Sequence, residues 1–266
     1  VRSFGALLAV ILTVLVITDA LVLWHAYVIV TAGSLVRTLD VVLVQALTAD
    51  AVPAHSLHGA VGLSRSTLDG ARVIGSIVGG TIFELLGLDW AYIVISVLYL
   101  LATLASLKID SRVVVAQASS IGIRSGISEG FRFVKQSRML PGLIFFSFLI
   151  EFSAFPIVNG LMTVIGDELY DLNGTGIGLL AATASSGALV GSLVVGLRRG
   201  VSNPGRIVII GSIIWHLLML VLATTPPLWL FALVLVLWGI SGGATFVAMV
   251  VGLLRAAPTE KRGRVM

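Results

Sequence analysis

Cysteine is absent from this 266-residue chain, so neither a disulfide nor a thiolate metal site is available to it. Charge is scarce as well. Asp, Glu, Lys and Arg make up 11% of the residues against 58% hydrophobic ones, and mean hydropathy is +1.08. A soluble domain cannot hide that much apolar surface in one core, so the composition points to lipid as the surrounding medium. HExxH, GxSxG and Walker phosphate-loop patterns are missing too, which removes the usual footholds for metal hydrolysis, acyl transfer and nucleotide chemistry. No enzyme, cofactor or metal is expected.

Positive charge is missing from every second loop. The chain divides into eight apolar stretches, 4–23, 25–47, 68–88, 90–108, 139–166, 174–198, 205–224 and 227–254, each near the ~20 residues that cross a bilayer. Of the 17 Lys and Arg residues, all but Arg37 and Arg72 fall in one alternate set of connections: Arg2, Arg65, the run from Lys108 to Arg138, Arg198 to Arg206, and Arg255 to Arg264. The other set carries Asp19, Glu84, Asp89, Asp167, Glu168 and Asp171. Basic loops stay in the cytoplasm, so both ends of this stretch are expected there. The pI of 9.9 then reflects topology and contact with anionic lipid, with no call for nucleic acid. The first stretch lacks the small-residue cleavage pattern of a secretory signal and is followed at once by another stretch.

The longest cytoplasmic connection, 109–138, separates a first group of four stretches (1–108) from a second (139–266). Its Glu129-Gly130-Phe131-Arg132-Phe133-Val134 reads either as an interfacial amphipathic helix or as a solvated linker. An internal repeat supports this division. Ala51-Val52-Pro53 with Gly59 follows the second stretch, and Ala256-Ala257-Pro258 with Gly263 follows the eighth. Six stretches separate the helices that precede them. Parallel six-span repeats build major facilitator transporters, so the expectation is an all-α membrane protein of that fold, two six-helix bundles, here spans three to ten of twelve.

Several segments strengthen this. Gln45-Ala46-Leu47 through Pro53, Ala71-Arg72-Val73-Ile74-Gly75 with Gly79-Gly80, the Glu129–Val134 segment, and Arg262-Gly263-Arg264-Val265-Met266 resemble the enterobactin-exporter and macrolide-efflux branch of the major facilitator superfamily. Gly62, Ala71, Gly75, Ser76, Gly79 and Gly80 follow the spacing of the superfamily's antiporter motif, with Ala71 in place of a glycine and Ser76 in place of the proline. The resemblance implies a monomeric secondary transporter of the bacterial inner membrane that moves an amphipathic small molecule outward in exchange for protons. Uptake by the same fold, or a receptor or scaffold without transport, are the alternatives.

Candidate residues follow. Gly75 and Gly79, and Gly187 and Gly191, are spaced to share a helix face and let backbones approach; they mark either a surface on which the halves rock or ordinary tight packing. Arg37 and Asp40 lie three apart, so they share a face at bilayer depth, where a charge costs roughly 2.5–3.5 kcal/mol. The resemblance implies a role in proton movement, though the Gln and Gly that usually follow the arginine are missing; a structural ion pair is the other reading. Glu151, with Asn159 on a similar face, either carries a proton, attracts a cationic substrate or bonds a neighbour. Asp69 and Arg72 read as a cytoplasmic brace between helices. His55 and His58 read as loop residues, and His25 and His216 stand alone. One DxxxD pair, Asp167 and Asp171, has prenyltransferase-like spacing, but it occurs once and in an outer loop, as a solvated turn would.

The topology is checked with single cysteines. In intact cells an impermeant thiol reagent is expected to label Asp171→Cys and to reach Ser119→Cys only after permeabilisation; the reverse pattern would invert the orientation.

Overall fold

A computed structural model describes residues 2–50, 52, 56–106, 132, 134–137, 140–156, 160–197 and 203–256. Among them the regular elements are helical: α1 (Arg2–Ile17), α2 (Leu23–Asp50), α3 (Leu57–Leu86), α4 (Leu88–Ser106), α5 (Leu140–Pro156), the short α6 (Met162–Val164), α7 (Gly174–Leu197), α8 (Pro204–Ala223) and α9 (Leu228–Ala256). Helices α4, α7, α8 and α9 are long and apolar enough to cross a membrane, and the apolar parts of α1 and α5 are shorter. Helices α2 and α3 have the length, 28 and 30 residues, but polar side chains dilute them; α3 alone carries Arg65, Asp69, Arg72 and Glu84. Large apolar side chains point outward along many of these helices, Phe152, Trp229 and Leu220 among them. That is the surface lipid requires and water penalises.

One boundary differs from the sequence expectation. Helix α3 starts at Leu57, well before residue 68, so Arg65 belongs to a helix and not to a loop. The glycines and serines that imitate a loop there form a helix face that packs against a neighbour. In the stretch 139–166 the described residues form α5 up to Pro156 and, from Met162–Val164, a segment that widens into a π-helical turn, Ile165–Leu169.

The four short connections on the acidic side share one device. Each holds a residue at positive φ: Asp19 (52°), Gly87 (87°), Asp171 (52°) and Thr225 (49°). Glycine takes this conformation freely and aspartate tolerates it, whereas a β-branched threonine is strained there. The backbone reverses around them through short bonds, such as Gly87 N–H to Phe83 O (3.0 Å) and Thr225 N–H to Leu222 O (3.1 Å).

The chain forms two compact units, one of Val1–Val44 with Ile82–Gly126, the other of Gln45–Thr81 with Ile127–Met266. In the first, α1 and α4 run antiparallel. Thr13 Oγ1 meets Ser96 Oγ at 2.7 Å and donates to the Tyr92 carbonyl at 3.0 Å, and Gly5 admits the Tyr99 ring. In the second, α9 is the central helix, with Phe231, Leu235, Val247, Val251 and Leu254 buried along its length. Trp238 meets Trp215 of α8 edge-on at 5.0 Å. Tyr170 lies tilted against Phe231 and donates its hydroxyl to the Pro226 carbonyl at 2.6 Å, which ties two turns together. Burial pushes the Tyr170 phenol above its ordinary range, so that bond keeps its proton.

Relief of the strained turn is measurable. Thr225→Gly is expected to stabilise the detergent-solubilised protein by roughly 0.5–1 kcal/mol, the left-handed penalty less glycine's entropy cost. A lower melting temperature would contradict the strain assigned to Thr225.

Candidate functional site

Within the second unit, α7 makes a backbone-close contact on each of two sides. One side meets α3. Gly62 lies against Gly196, Ser66 against Ser192, and the Ser76 carbonyl and Gly80 against Gly178 and Gly174. The partner numbers fall as those of α3 rise, so the helices are antiparallel. A Cβ on Gly196 would sit 2.8 Å from the Gly62 Cα, and one on Gly178 would sit 3.2 Å from the Gly80 Cα. Neither helix has room for even an alanine at these points. At Ser66 and Ser192, both buried, the hydroxyl oxygens are 3.0 Å apart.

The other side of α7 meets α9. Gly187 lies against Val236 and Ile240, Gly191 against Ile240 and Ala244, while Gly239 and Gly243 of α9 approach Ala184 and Ala188. Here the partner numbers rise together, so α7 and α9 are parallel, as two crossings separated by the single helix α8 must be.

These contacts redistribute the glycines singled out in the sequence. Gly80 and Ser76 lie at the α3–α7 contact. Gly187 and Gly191 face α9 and not α3, and Gly75 and Gly79 are exposed, with nothing within 4 Å of where a Cβ would stand. The physical reason is phase. Residues 62, 66, 76 and 80 share one stripe of a 3.6-residue helix, and 75 and 79 are rotated off it by about 100°. Serines 66 and 192 continue the small-residue stripe one turn from Gly62 and Gly196, and that spacing was the available signal for them.

A charge cluster sits on α3 beside this seam. The Asp69 carboxylate is wholly buried. It accepts from Arg65 Nε at 3.0 Å and from Arg72 Nη1 at 3.4 Å. The Arg65 guanidinium also lies 4.0 Å above the Phe246 ring of α9, an attraction of about 0.5–2 kcal/mol depending on desolvation. Asp69 and Arg72 therefore pair along one helix, and Arg65 makes the link to a second.

Arg37 and Asp40 lie in the first unit, on a cleft of about 250 Å³ between α1, α2 and α4. Gly5, Leu8, Leu12, Ile29 and Gly33 give it apolar walls, and Tyr92 and Tyr99 from α4 line it with the charged residues. Arg37 is exposed and Asp40 half-buried. The Thr13–Ser96 bond and the space left by Gly5 set the two tyrosines in place. Chemically the cleft offers one cation, one carboxylate and two phenols on an otherwise apolar surface, a lining suited to an amphipathic guest.

Glu151 is on α5 with its side chain outside the described part, and Asn159 lies outside the described residues, as do His55 and nearly all of 109–138. Asp167 and Asp171 are exposed at the π-helical turn, their backbones joined by Asp171 N–H to Asp167 O at 3.1 Å. Tyr92, Tyr99, Ser66, Ser192 and Phe246 escaped the sequence reading, because each gains its role from a partner distant in the chain.

Comparison with protein families matches residues 1–264 to the family described as transmembrane secretion effector, within the major facilitator superfamily. Comparison with curated proteins and with solved structures finds no match. Nearly the whole chain is covered by the family match. The chain belongs to this family, and is a multi-pass membrane transporter of the major facilitator superfamily and not an enzyme.

Proposed function

We propose that the protein is a secondary exporter that moves an amphipathic small molecule, drug-like or siderophore-like, out of a bacterial cell in exchange for protons. In this reading eight crossings belong to two six-helix bundles joined through 109–138, with both ends of the stretch in the cytoplasm of a monomer. The helix directions support the count: α1 against α4 and α3 against α7 are antiparallel, and α7 and α9 are parallel, as strict alternation requires. Resemblance to the enterobactin-exporter and macrolide-efflux branch supports the direction and the class of substrate.

The observation that carries the coupling is the cleft with Arg37 and Asp40. An ionisable pair on an apolar membrane helix is expensive to keep and is retained where it serves a pathway. Protonation of Asp40 removes its charge and lowers the cost of closing apolar helices over the cleft; release on the other side resets it. Glu151 is the second candidate, as the one acid of α5. Uptake is the second reading. It has one observation in its favour: Ser76 stands where the antiporter motif has proline, and α3 runs unbroken from Leu57 to Leu86.

Asp40→Asn is expected to reduce proton-gradient-driven efflux about tenfold or more, with the amount of protein in the membrane little changed. Transport into inverted vesicles, driven by an imposed pH gradient, measures it. Undiminished gradient-driven transport by the Asp40→Asn/Glu151→Gln double variant would exclude both as coupling acids.

A further inference from the structure

The cleft of the first unit is lined by hydrogen-bond donors that meet no acceptor among the described residues. Along α2, Gly33, Arg37 and Asp40 line it at helical spacing and so share one face. Arg37 makes no hydrogen bond or ion pair with any described residue, whereas Asp40 has a partner. The hydroxyls of Tyr92 and Tyr99, which line the cleft from α4, bond no described residue either. A guanidinium offers five N–H donors in a planar fork and each phenol offers one O–H. The lining is therefore rich in donors and short of acceptors.

Depth makes this imbalance costly. In the exporter reading, on which this inference rests, α2 is a crossing. Arg37 is the fifteenth of its 28 residues, roughly 20 Å from either end at 1.5 Å per residue. From there the side chain cannot snorkel to either membrane surface. A cation at such depth must be met by an anion or by water. Leu8, Leu12 and Ile29 make the surrounding wall poor at holding water. Space for something larger is present: one turn from Arg37, nothing lies within 4 Å of where a Cβ on Gly33 would stand. A cationic guest fits badly. Asp40 is the one carboxylate of the lining and is already engaged, so such a guest would displace an existing contact while facing an unpaired guanidinium.

We propose that the cleft takes an amphipathic carboxylate. Arg37 pairs with the carboxylate through its fork of donors, the Tyr92 and Tyr99 hydroxyls supply further donors for the head group, and the apolar body lies along Leu8, Leu12 and the open floor at Gly33. The guest of the exporter is thereby narrowed from any amphipathic molecule to an anionic one.

Three probes that share a ring system and differ in head group test this: 2-naphthoate, 2-naphthylmethanol and 2-naphthylmethylamine, which are an anion, a neutral molecule and a cation at neutral pH. Binding to the purified full-length protein is measured by equilibrium dialysis against a detergent blank, with no proton gradient. The naphthoate is expected to bind at least about tenfold more tightly than the amine. Arg37→Gln should weaken naphthoate binding about tenfold or more and leave the alcohol unchanged, which also shows that the variant is folded. Arg37→Lys keeps the charge but loses the fork, and should fall between. Tyr99→Phe should cost the naphthoate about threefold. Equal affinity for the three probes, preference for the amine, no measurable binding of the naphthoate, or a naphthoate affinity unmoved in Arg37→Gln would each overturn the proposal. Equilibrium binding needs neither a gradient nor a direction of transport. Selectivity in a protein that does not export would therefore sink the exporter reading alone, and export without selectivity would sink only this one.

Discussion

Between helices surrounded by lipid, burying a leucine gains almost nothing, because hydrocarbon is as good a neighbour as another leucine. What remains is dispersion at close range and the few polar bonds that lipid cannot supply. Helix α7 is built for those terms. Its Gly174, Gly178, Ser192 and Gly196 face α3, and its Ala184, Gly187, Ala188 and Gly191 face α9. Backbone meets backbone on both sides, and the arrangement of the second unit follows from those two contacts. Added side-chain atoms would force the helices apart and forfeit many small attractions together.

The two contacts of α7 differ in kind. Against α9 the fit is continuous and apolar, flanked by the buried Val247, Val250, Val251 and Leu254. Against α3 it is punctuated by the Ser66–Ser192 bond, and the Asp69 cluster sits alongside. Breaking the apolar seam forfeits dispersion contacts but leaves no polar group unpaired. Separating Arg65 from Phe246 instead exposes a guanidinium that keeps its Asp69 partner on its own helix. Because Asp69 is bonded within α3, that helix can part from α9 without leaving a carboxylate unpaired, which would cost several kcal/mol in a low dielectric. The charges lie so that α3 carries them as one body.

Much of the helical layout was legible in the sequence, because span length and apolar composition are local properties. The stretches 90–108, 174–198, 205–224 and 227–254 match α4, α7, α8 and α9 within a few residues. The start of α3 was not legible, since Gly59, Gly62, Ser64, Ser66 and Asp69 have the composition of a loop, and only the packing of Gly62 and Ser66 against α7 shows a buried helix face there. The glycine contacts were half legible: that glycines would mediate close approach followed from spacing, but which glycine met which helix depended on rotation. Gly187 and Gly191 have the same four-residue spacing whether they face α3 or α9. The partner of His216 was illegible, because Ser153 Oγ, 3.2 Å from its Nε2, lies on another helix.

We propose that the α3–α7 seam, the small-residue surface on which the halves of the proposed exporter would rock, parts during transport. Ser66→Cys with Ser192→Cys in this cysteine-free chain tests it, since the parent oxygens are 3.0 Å apart, within reach of a disulfide after small adjustment. Oxidation is expected to join α3 to α7 in high yield and to stop substrate movement, and reduction to restore it. An oxidised, fully cross-linked protein that transports at the rate of the reduced one would contradict the account.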